Sequence, residues 1–135
     1  MTYTKAEIRP LRREDEPLLF GLASLDRGAD ARTLGVLERE TVFVADVGGT
    51  PAGYVALERM EEAVRIDQLF VSPEHEAEGL GRQLLEFAEG FAIWEGATTL
   101  QVVVEAENER ALSFYRGRGF MPVGDDLLEL PLPQR

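Results

Sequence analysis

Three runs of β-forming residues follow one another between Glu40 and Val71, and the connections between them are too short to contain a helix. The runs are ETVFVADV, AGYVALERM and AVRIDQLFV, and the turn residues GGTP separate the first from the second. Runs rich in Val, Ile, Tyr and Phe with tight connections are typical of neighbouring antiparallel strands. The centre of the chain is therefore predicted to be an antiparallel meander, which restricts the possible folds more than any other feature.

The residues before the meander predict one strand and one helix. AEIRPL has the pattern of a short strand, and EDEPLLFGLASL places Leu18, Leu19, Leu22 and Leu25 at helical spacing. The next residues, DRGADARTLGVLERE, contain two glycines and mixed charges, which indicates a loop with room for a short second helix.

The residues after the meander predict a parallel strand, helix, strand unit. Apolar residues recur on one face of a helix from about Gly79 to Glu95, and TTLQVVVE is a compact strand. Asn108 can cap a further helix, ERALSFYRGR, which Gly117 or Gly119 would end, and FMPV and LLELPLP predict the last strands. The predicted fold is a mixed α/β sheet with helices on its faces, in the order β, α, β, β, β, α, β, α, β, β. Without a linker or an internal repeat, residues 1–135 are expected to form a single domain.

Composition excludes several classes of function. The chain has no cysteine and one histidine, so we expect neither a disulfide framework nor a metal site. No apolar run has the length of a signal peptide or a membrane span, which predicts a soluble, cytoplasmic protein that does not bind membranes. The net charge of -11 opposes nucleic-acid binding and favours a cationic partner.

The stretch VSPEHEAEGLGR joins the third strand of the meander to the following helix. A strand that ends at Val71, a loop and a helix that opens at GLGR would direct unpaired backbone N–H groups to one place, as in phosphate-binding loops. Gly79 and Gly81 would let a phosphate approach the main chain. The stretch is not a P-loop, because no Lys followed by Ser or Thr comes after the glycines, and a flexible turn before a helix remains an alternative.

A second pair of residues lies on the later helix. Asn108 and Tyr115 are seven residues apart, about two helical turns, so both side chains can face the same side. The alternative is that Asn108 is only a helix cap and Tyr115 only a core aromatic residue.

Together, EHEAEGLGRQLL and NERALSFYRGRGF resemble the GNAT family of acetyl-coenzyme A dependent N-acetyltransferases, over about Val64 to Val123. In that family, Arg or Gln, two variable residues, Gly, one residue, and Gly or Ala form the pyrophosphate loop, and a later motif contains Asn, Ala and Phe or Leu before Tyr. The resemblance implies the GNAT acyltransferase fold and acetyl-coenzyme A as co-substrate without a metal. The coenzyme-binding residues that it implies are Leu69, Phe70, Val71, Ala77, Glu78, Gly79, Leu80, Gly81, Arg82, Asn108 and Tyr115.

Two positions depart from the family pattern. Glu76 stands where the family usually has Arg or Gln, and with Glu78 it brings negative charge to the pyrophosphate loop. Arg82, Arg116 and Arg118 could offset that charge. Val103 stands five residues before Asn108, where relatives that acetylate protein N-termini often have Glu, which weakens that substrate assignment.

The implied reaction is attack of a neutral amine on the thioester carbonyl, so a base must first deprotonate the amine. Asp67 is the candidate base, with Glu58 and Glu105 as alternatives, and each of them can also be an ordinary surface carboxylate. Tyr115 could protonate the departing thiolate, and a backbone N–H near Leu69 would stabilise the oxyanion. The partners expected are acetyl-coenzyme A and an amine, for a monomer or homodimer.

Two other functions stay open on the sequence. A GNAT-fold domain that has lost tight coenzyme binding could act as a regulatory or protein-interaction module, and Glu76, Glu78 and Val103 are compatible with that role. An unrelated mixed α/β binding module is the third interpretation.

Overall fold

The computed structural model describes residues 4–27 and 41–134, with side chains for all of these except residues 22–27. The described helices are α1 (Glu16–Arg27), α2 (Leu80–Trp94) and α3 (Glu109–Gly117), with 3-10 turns at Arg13–Asp15 and Pro73–His75. The described strands are β1 (Glu7–Pro10), β2 (Thr41–Val47), β3 (Thr50–Arg59), β4 (Ala63–Val71), β5 (Thr99–Val103), β6 (Met121–Gly124) and β7 (Leu127–Pro131). These strands form one sheet in the order β1-β2-β3-β4-β5-β7-β6.

The strand directions confirm the predicted mixed sheet. β2 pairs antiparallel with β1 and with β3. Met60 N–H bonds to Ala63 O and Ser72 N–H bonds to Ala52 O, a pattern that only antiparallel β3 and β4 can make. β4 and β5 are parallel from Ala63↔Thr99 to Ile66↔Val102, with α2 as the connection between them.

The first helix differs from the prediction in one residue. Leu19 of α1 is fully buried, whereas Leu18 is 45% exposed. Consecutive helical residues point about 100° apart, so a single buried stripe cannot hold both leucines at its centre. The side chains of Leu22 and Leu25 and the predicted short second helix lie outside the described residues.

The chain divides into two compact units, and the described part of the first comprises residues 4–27, 41–57 and 68–88. In the described part of this unit, one apolar core cluster is formed by buried side chains: Leu19, Val42, Val44, Tyr54, Ala56 and Phe70. The β3 backbone passes so close to β4 that a Cβ atom at Gly53 would lie 2.5 Å from Phe70 O. Glycine is therefore required there for steric reasons.

A buried ion cluster fixes β1 within the first unit. The Arg9 guanidinium donates to both oxygens of Asp15, at 2.7 and 3.0 Å, and its Nε donates to Asp46 Oδ2 at 2.9 Å. Asp15 also accepts from Arg12 N–H at 2.8 Å, so the cluster joins β1, the following 3-10 turn and β2. The bond to Asp15 raises the pKa of Arg9, and the same bond lowers the pKa of Asp15.

The second unit comprises Glu58–Asp67 and Glu89–Arg135. Alternate residues of its strands are buried, as period-two patterning requires: Val64, Ile66, Leu100, Val102 and Leu128. Residues of the opposite strand face form a polar row, in which Arg65 Nη2 donates to Gln101 Oε1 at 3.1 Å and Gln101 Nε2 donates to Glu129 Oε2 at 2.9 Å.

Candidate functional site

The loop before α2 has the backbone geometry of an anion-binding site. Ala77 and Gly79 both have positive φ, 67° and 84°, and α2 begins directly afterwards at Leu80. The Gln83 N–H bonds to Gly79 O at 3.1 Å. The amides of Leu80, Gly81 and Arg82 therefore belong to the first turn, whose N–H groups have no acceptor four residues earlier inside the helix. Because α2 is 15 residues long, its positive end adds to the attraction for an anion.

The residues of this loop fit a pyrophosphate group. Gly79 adopts a left-handed conformation that most side chains resist, and Gly81 has no side chain at the second residue of α2. Arg82 is exposed, and its Nε lies 3.5 Å from Glu86 Oε1, which leaves the guanidinium at the protein surface. A pyrophosphate could thus be bound by main-chain N–H groups with a cation beside them.

The two acidic residues of the loop have different surroundings. Glu76 is exposed. Glu78 is half-buried, and its Oε1 accepts from Thr4 Oγ1 at 2.8 Å and lies 3.0 Å from His75 Nδ1. The hydrogen bond with His75, followed by that with Thr4, lowers the pKa of Glu78, so this carboxylate is ionised at neutral pH.

The end of β4 supplies the strand residues predicted to bind the coenzyme. Ser72 N–H bonds to Ala52 O of β3 at 2.7 Å. Because N–H directions alternate along a strand, the amides of Leu69 and Val71 point to the opposite edge of β4. The Phe70 side chain is fully buried, with its ring centroid 5.7 Å from that of Tyr54, so Phe70 is left with its backbone for any contact with a ligand.

Asn108 and Tyr115 belong to the second unit. Asn108 caps α3, because its Oδ1 accepts from Ala111 N–H at 3.1 Å, as the sequence predicts. Tyr115 is buried, with edge-on contacts to Phe114 and Phe120 at centroid distances of 5.1 and 5.3 Å. The ring is thus firmly packed, which suits both a core role and the orientation of a reactive hydroxyl.

The candidate bases differ in exposure. Asp67, in the middle of β4, is half-buried, whereas Glu58 and Glu105 are exposed. Val103, the last residue of β5, is 55% exposed despite its apolar side chain. Asp67 is therefore the least exposed of the three candidate carboxylates.

The structure places the predicted residues in two groups. The first unit contains the β4 segment 69–71 and the loop 77–82, and the second contains Asp67, Asn108 and Tyr115. Of the predicted cations, Arg118 is engaged with Glu89, with Nη2 3.4 Å from Oε2. The sequence did not reveal the roles of Thr4 and Gln83. Thr4 contacts Glu78 of the loop across 74 residues of chain, and Gln83 of α2 bonds to Thr4 across 79, separations at which no local pattern can reveal a contact.

Residues 4–27 and 41–134 lack the features of two other classes of site. No three His, Cys, Asp or Glu side chains come together there in a group that could hold a metal ion. No helix in the same residues combines the length and the apolar character needed to cross a membrane.

The fold and the loop define the class of the protein. The model of the acetyltransferase (GNAT) family matches residues 6–120, and the chain therefore belongs to this family.

Similar proteins agree with that assignment. The chain is 30% identical over 90 residues to an uncharacterized N-acetyltransferase of Methanocaldococcus jannaschii, over 62% of this chain and 40% of the relative. It is 32% identical over 92 residues to spermidine N(1)-acetyltransferase of Escherichia coli K12, over 65% of this chain and 49% of that enzyme. The matched region thus spans about half the length of these relatives.

The fold is also that of solved structures. PaiA N-acetyltransferase from Thermoplasma acidophilum, solved in complex with coenzyme A, superposes with a TM-score of 0.78 at 21% identity, over 93% of this chain and 98% of that one. The predicted GNAT acyltransferase fold is confirmed.

Proposed function

We propose that this chain is a single-domain N-acetyltransferase that moves the acetyl group of acetyl-coenzyme A to a primary amine within a ternary complex. The observation that carries the proposal is the loop before α2, where the left-handed residues Ala77 and Gly79 precede the first-turn amides of a 15-residue helix. Such a site attracts a pyrophosphate through main-chain N–H groups.

The coenzyme-binding residues follow from this loop and from the family pattern. The amides from Gly79 to Arg82 bind the pyrophosphate, and Ala77 and Glu78 shape the loop before them, because the Glu78 N–H is already bonded to His75 O at 3.3 Å. The backbone of segment 69–71 lies along the pantetheine arm. Asn108 and Tyr115 are included because they match the later motif of the family. Bound acetyl-coenzyme A supplies a thioester carbonyl as the electrophile and a thiolate as the leaving group.

The chain's own residues handle two protons. An amine acceptor is mostly protonated at pH 7, so it must lose a proton before it attacks, and Asp67 receives that proton on a carboxylate oxygen. The Tyr115 hydroxyl donates its proton to the sulfur that leaves. Tyr115 suits this role because its unperturbed pKa near 10 keeps a phenol protonated at neutral pH.

The acceptor proposed is a cationic amine. The net charge of -11 attracts cations, and spermidine N(1)-acetyltransferase of Escherichia coli, a relative, is named for a polyamine substrate. Val103 makes a protein N-terminus the less favoured acceptor, because an apolar side chain cannot accept a proton.

Binding and turnover test the proposal. Coenzyme A at 100 times its dissociation constant should stabilise the protein by about 2.7 kcal/mol in a thermal shift assay. Thiol release from acetyl-coenzyme A should accelerate when spermidine is added, and more than when a peptide with an N-terminal alanine is added.

A matched pair of glycine variants locates the site. Gly79→Ala and Gly96→Ala both force a side chain into a positive φ, 84° and 81°, so both should lose stability by about 1 kcal/mol. Only Gly79→Ala should also weaken coenzyme A binding. Equal binding by both variants would place the coenzyme elsewhere, and no binding by the wild type would favour the regulatory module.

A further inference from the structure

The segment Thr4–Ala6, which precedes β1, is bonded to both sides of the candidate pyrophosphate loop. Thr4 N–H donates to Glu78 O at 3.0 Å, and Thr4 Oγ1 donates to Glu78 Oε1 at 2.8 Å. Gln83 Nε2 donates to Thr4 O at 2.6 Å, and Ala6 N–H donates to Gln83 Oε1 at 2.9 Å. The loop and the first turn of α2 are therefore tied to the same three residues.

The Gln83 side chain bonds to this segment as a peptide group of a paired strand would. Its amide accepts from Ala6 N–H and donates to Thr4 O, and its Nε2 also lies 3.3 Å from Gly79 O. One side chain thus connects the segment, the loop glycine and α2. An apolar residue at position 83 would leave Ala6 N–H and Thr4 O without these bonds.

The loop needs such support because its backbone is strained. Ala77 has φ 67° and Gly79 has φ 84°, with Glu78 between them. An alanine in the left-handed region is unfavourable, and strained residues persist only where the surrounding structure holds them. The bonds from Thr4 to Glu78 act at the centre of the strained segment.

The same bonds determine the position of a negative charge. Glu78 lies immediately before the amides proposed to bind a pyrophosphate, and an unrestrained carboxylate there would compete for those amides. The Thr4 hydroxyl and His75 Nδ1 both contact Glu78 Oε1, which holds the carboxylate in one place.

We propose that the Thr4–Ala6 segment keeps the loop in its coenzyme-binding conformation, with Thr4 and Gln83 as positioning residues that set coenzyme affinity without touching the reacting atoms. This inference rests on the proposed binding of acetyl-coenzyme A by the same loop.

Substitutions that remove single hydrogen bonds test the inference. Thr4→Val keeps the shape of the side chain but removes the hydroxyl donor, whereas Thr4→Ser keeps that donor. Gln83→Leu removes the side-chain bonds to Ala6 N–H and Thr4 O. Thr98→Val is the matched control, because Thr98 is exposed and its Oγ1 donates to Glu62 O at 3.0 Å in the second unit. Calorimetry gives the Kd for coenzyme A, steady-state kinetics gives kcat and KM, and hydrogen exchange of amides 77–82 reports on the loop without ligand.

We expect Thr4→Val and Gln83→Leu each to raise the Kd for coenzyme A about tenfold, with kcat at saturating acetyl-coenzyme A within about twofold of wild type. Amides 77–82 should exchange faster in both variants, whereas Thr4→Ser and Thr98→Val should match the wild type.

Three results would overturn the inference. If the wild type binds coenzyme A and Thr4→Val binds it with the same Kd, the inference is wrong. Thr4→Val alone provides this test if Gln83→Leu does not fold. An equal rise in Kd for Thr98→Val would indicate a general loss of stability. Unchanged exchange at amides 77–82 in both variants would also overturn the inference but would leave the proposed function standing. A wild type that binds no coenzyme A would overturn the proposed function itself.

Discussion

Glu76 and Glu78 are two residues apart, yet their side chains have different environments. Glu78 is bonded to Thr4 and His75, and its lowered pKa follows from those bonds. Glu76 is exposed and stands at the family's usual Arg or Gln position. Of the two carboxylates, Glu78 is therefore part of the loop structure, and Glu76 is the more exposed one, at the position where the family usually has a cation or an amide.

We predict that Glu76→Gln and Glu76→Arg tighten the binding of acetyl-coenzyme A. A unit charge about 6 Å from a phosphate costs about 3 kcal/mol at an effective dielectric of 20, and solvent screening reduces this, so we expect a gain of about three- to tenfold at low salt. Calorimetry at two salt concentrations measures the gain, which should shrink as salt rises. Glu74→Gln, an exposed carboxylate in the preceding 3-10 turn, is the control and should have little effect. Equal affinity in all three variants would mean that Glu76 does not oppose the coenzyme.

Tyr115→Phe should lower kcat by about 10- to 100-fold and change the KM for acetyl-coenzyme A less, because the substitution removes the hydroxyl that we propose as the proton donor. The ring contacts with Phe114 and Phe120 should be retained, so the melting temperature should change little. Steady-state kinetics from pH 6 to pH 9 provides the measurement. If kcat is the same as in the wild type throughout that range, Tyr115 is not the general acid.

The elements of the first unit are held by polar bonds as well as by the apolar core. β1 has four residues, too few for a strong ladder of its own, but Arg9 connects it to the 3-10 turn and to β2 through Asp15 and Asp46. The Arg9 and Asp15 side chains are both buried, so neither charge can be left alone without a large desolvation cost.

We predict that Asp15→Asn lowers the free energy of unfolding by about 3 kcal/mol at pH 7. The pKa of Asp15 is lowered in the folded state, chiefly by its bond with Arg9. Its contribution is therefore complete above the ordinary aspartate pKa near 3.9 and is lost as the pH falls through the folded value. Urea unfolding at pH 7 and at pH 3 should show the gap between wild type and variant shrinking in acid. Asp125→Asn, at an exposed position, should show no such gap.

Sequence patterns predicted those elements whose signals are local. The apolar period predicted α2 to within one residue at each end, and the side chain of Asn108 predicted the start of α3. Contacts between distant residues could not be predicted, because Thr4 and Glu78 are 74 residues apart and Arg9 and Asp46 are 37 apart. The exposure of Leu18 could not be predicted either, because helical periodicity indicates which residues lie near the apolar face, whereas packing determines which of them are buried.

The whole molecule carries 25 acidic and 14 basic side chains, for a net charge of -11. At physiological salt, exposed charges act over about 8 Å, so the summed field affects the approach of a ligand more than its final contacts. A polycation should be drawn towards such a surface, and a coenzyme with several phosphates should be repelled by it.

We predict opposite salt effects on the two substrates. As salt rises from about 20 to 300 mM, kcat/KM for spermidine should fall severalfold, because screening removes the attraction. The KM for acetyl-coenzyme A should fall over the same range, because screening also removes repulsion. Ethanolamine, a monoamine, serves as the comparison and should respond less than spermidine. Parallel changes for both amines would show that the acceptor is not guided by charge.

The close approach of two strands at Gly53 limits how this chain can vary. A methyl group there would lie 2.5 Å from Phe70 O and 3.2 Å from Val71 Cα, and no change of rotamer can move main-chain atoms aside. Because Val71 is the residue from which the chain leaves the sheet towards the loop, a substitution at 53 would displace that exit. In a saturation library selected for folded protein, position 53 should return only glycine, whereas exposed Gly90, with no atom within 4 Å of an added Cβ, should accept alanine and other helix formers.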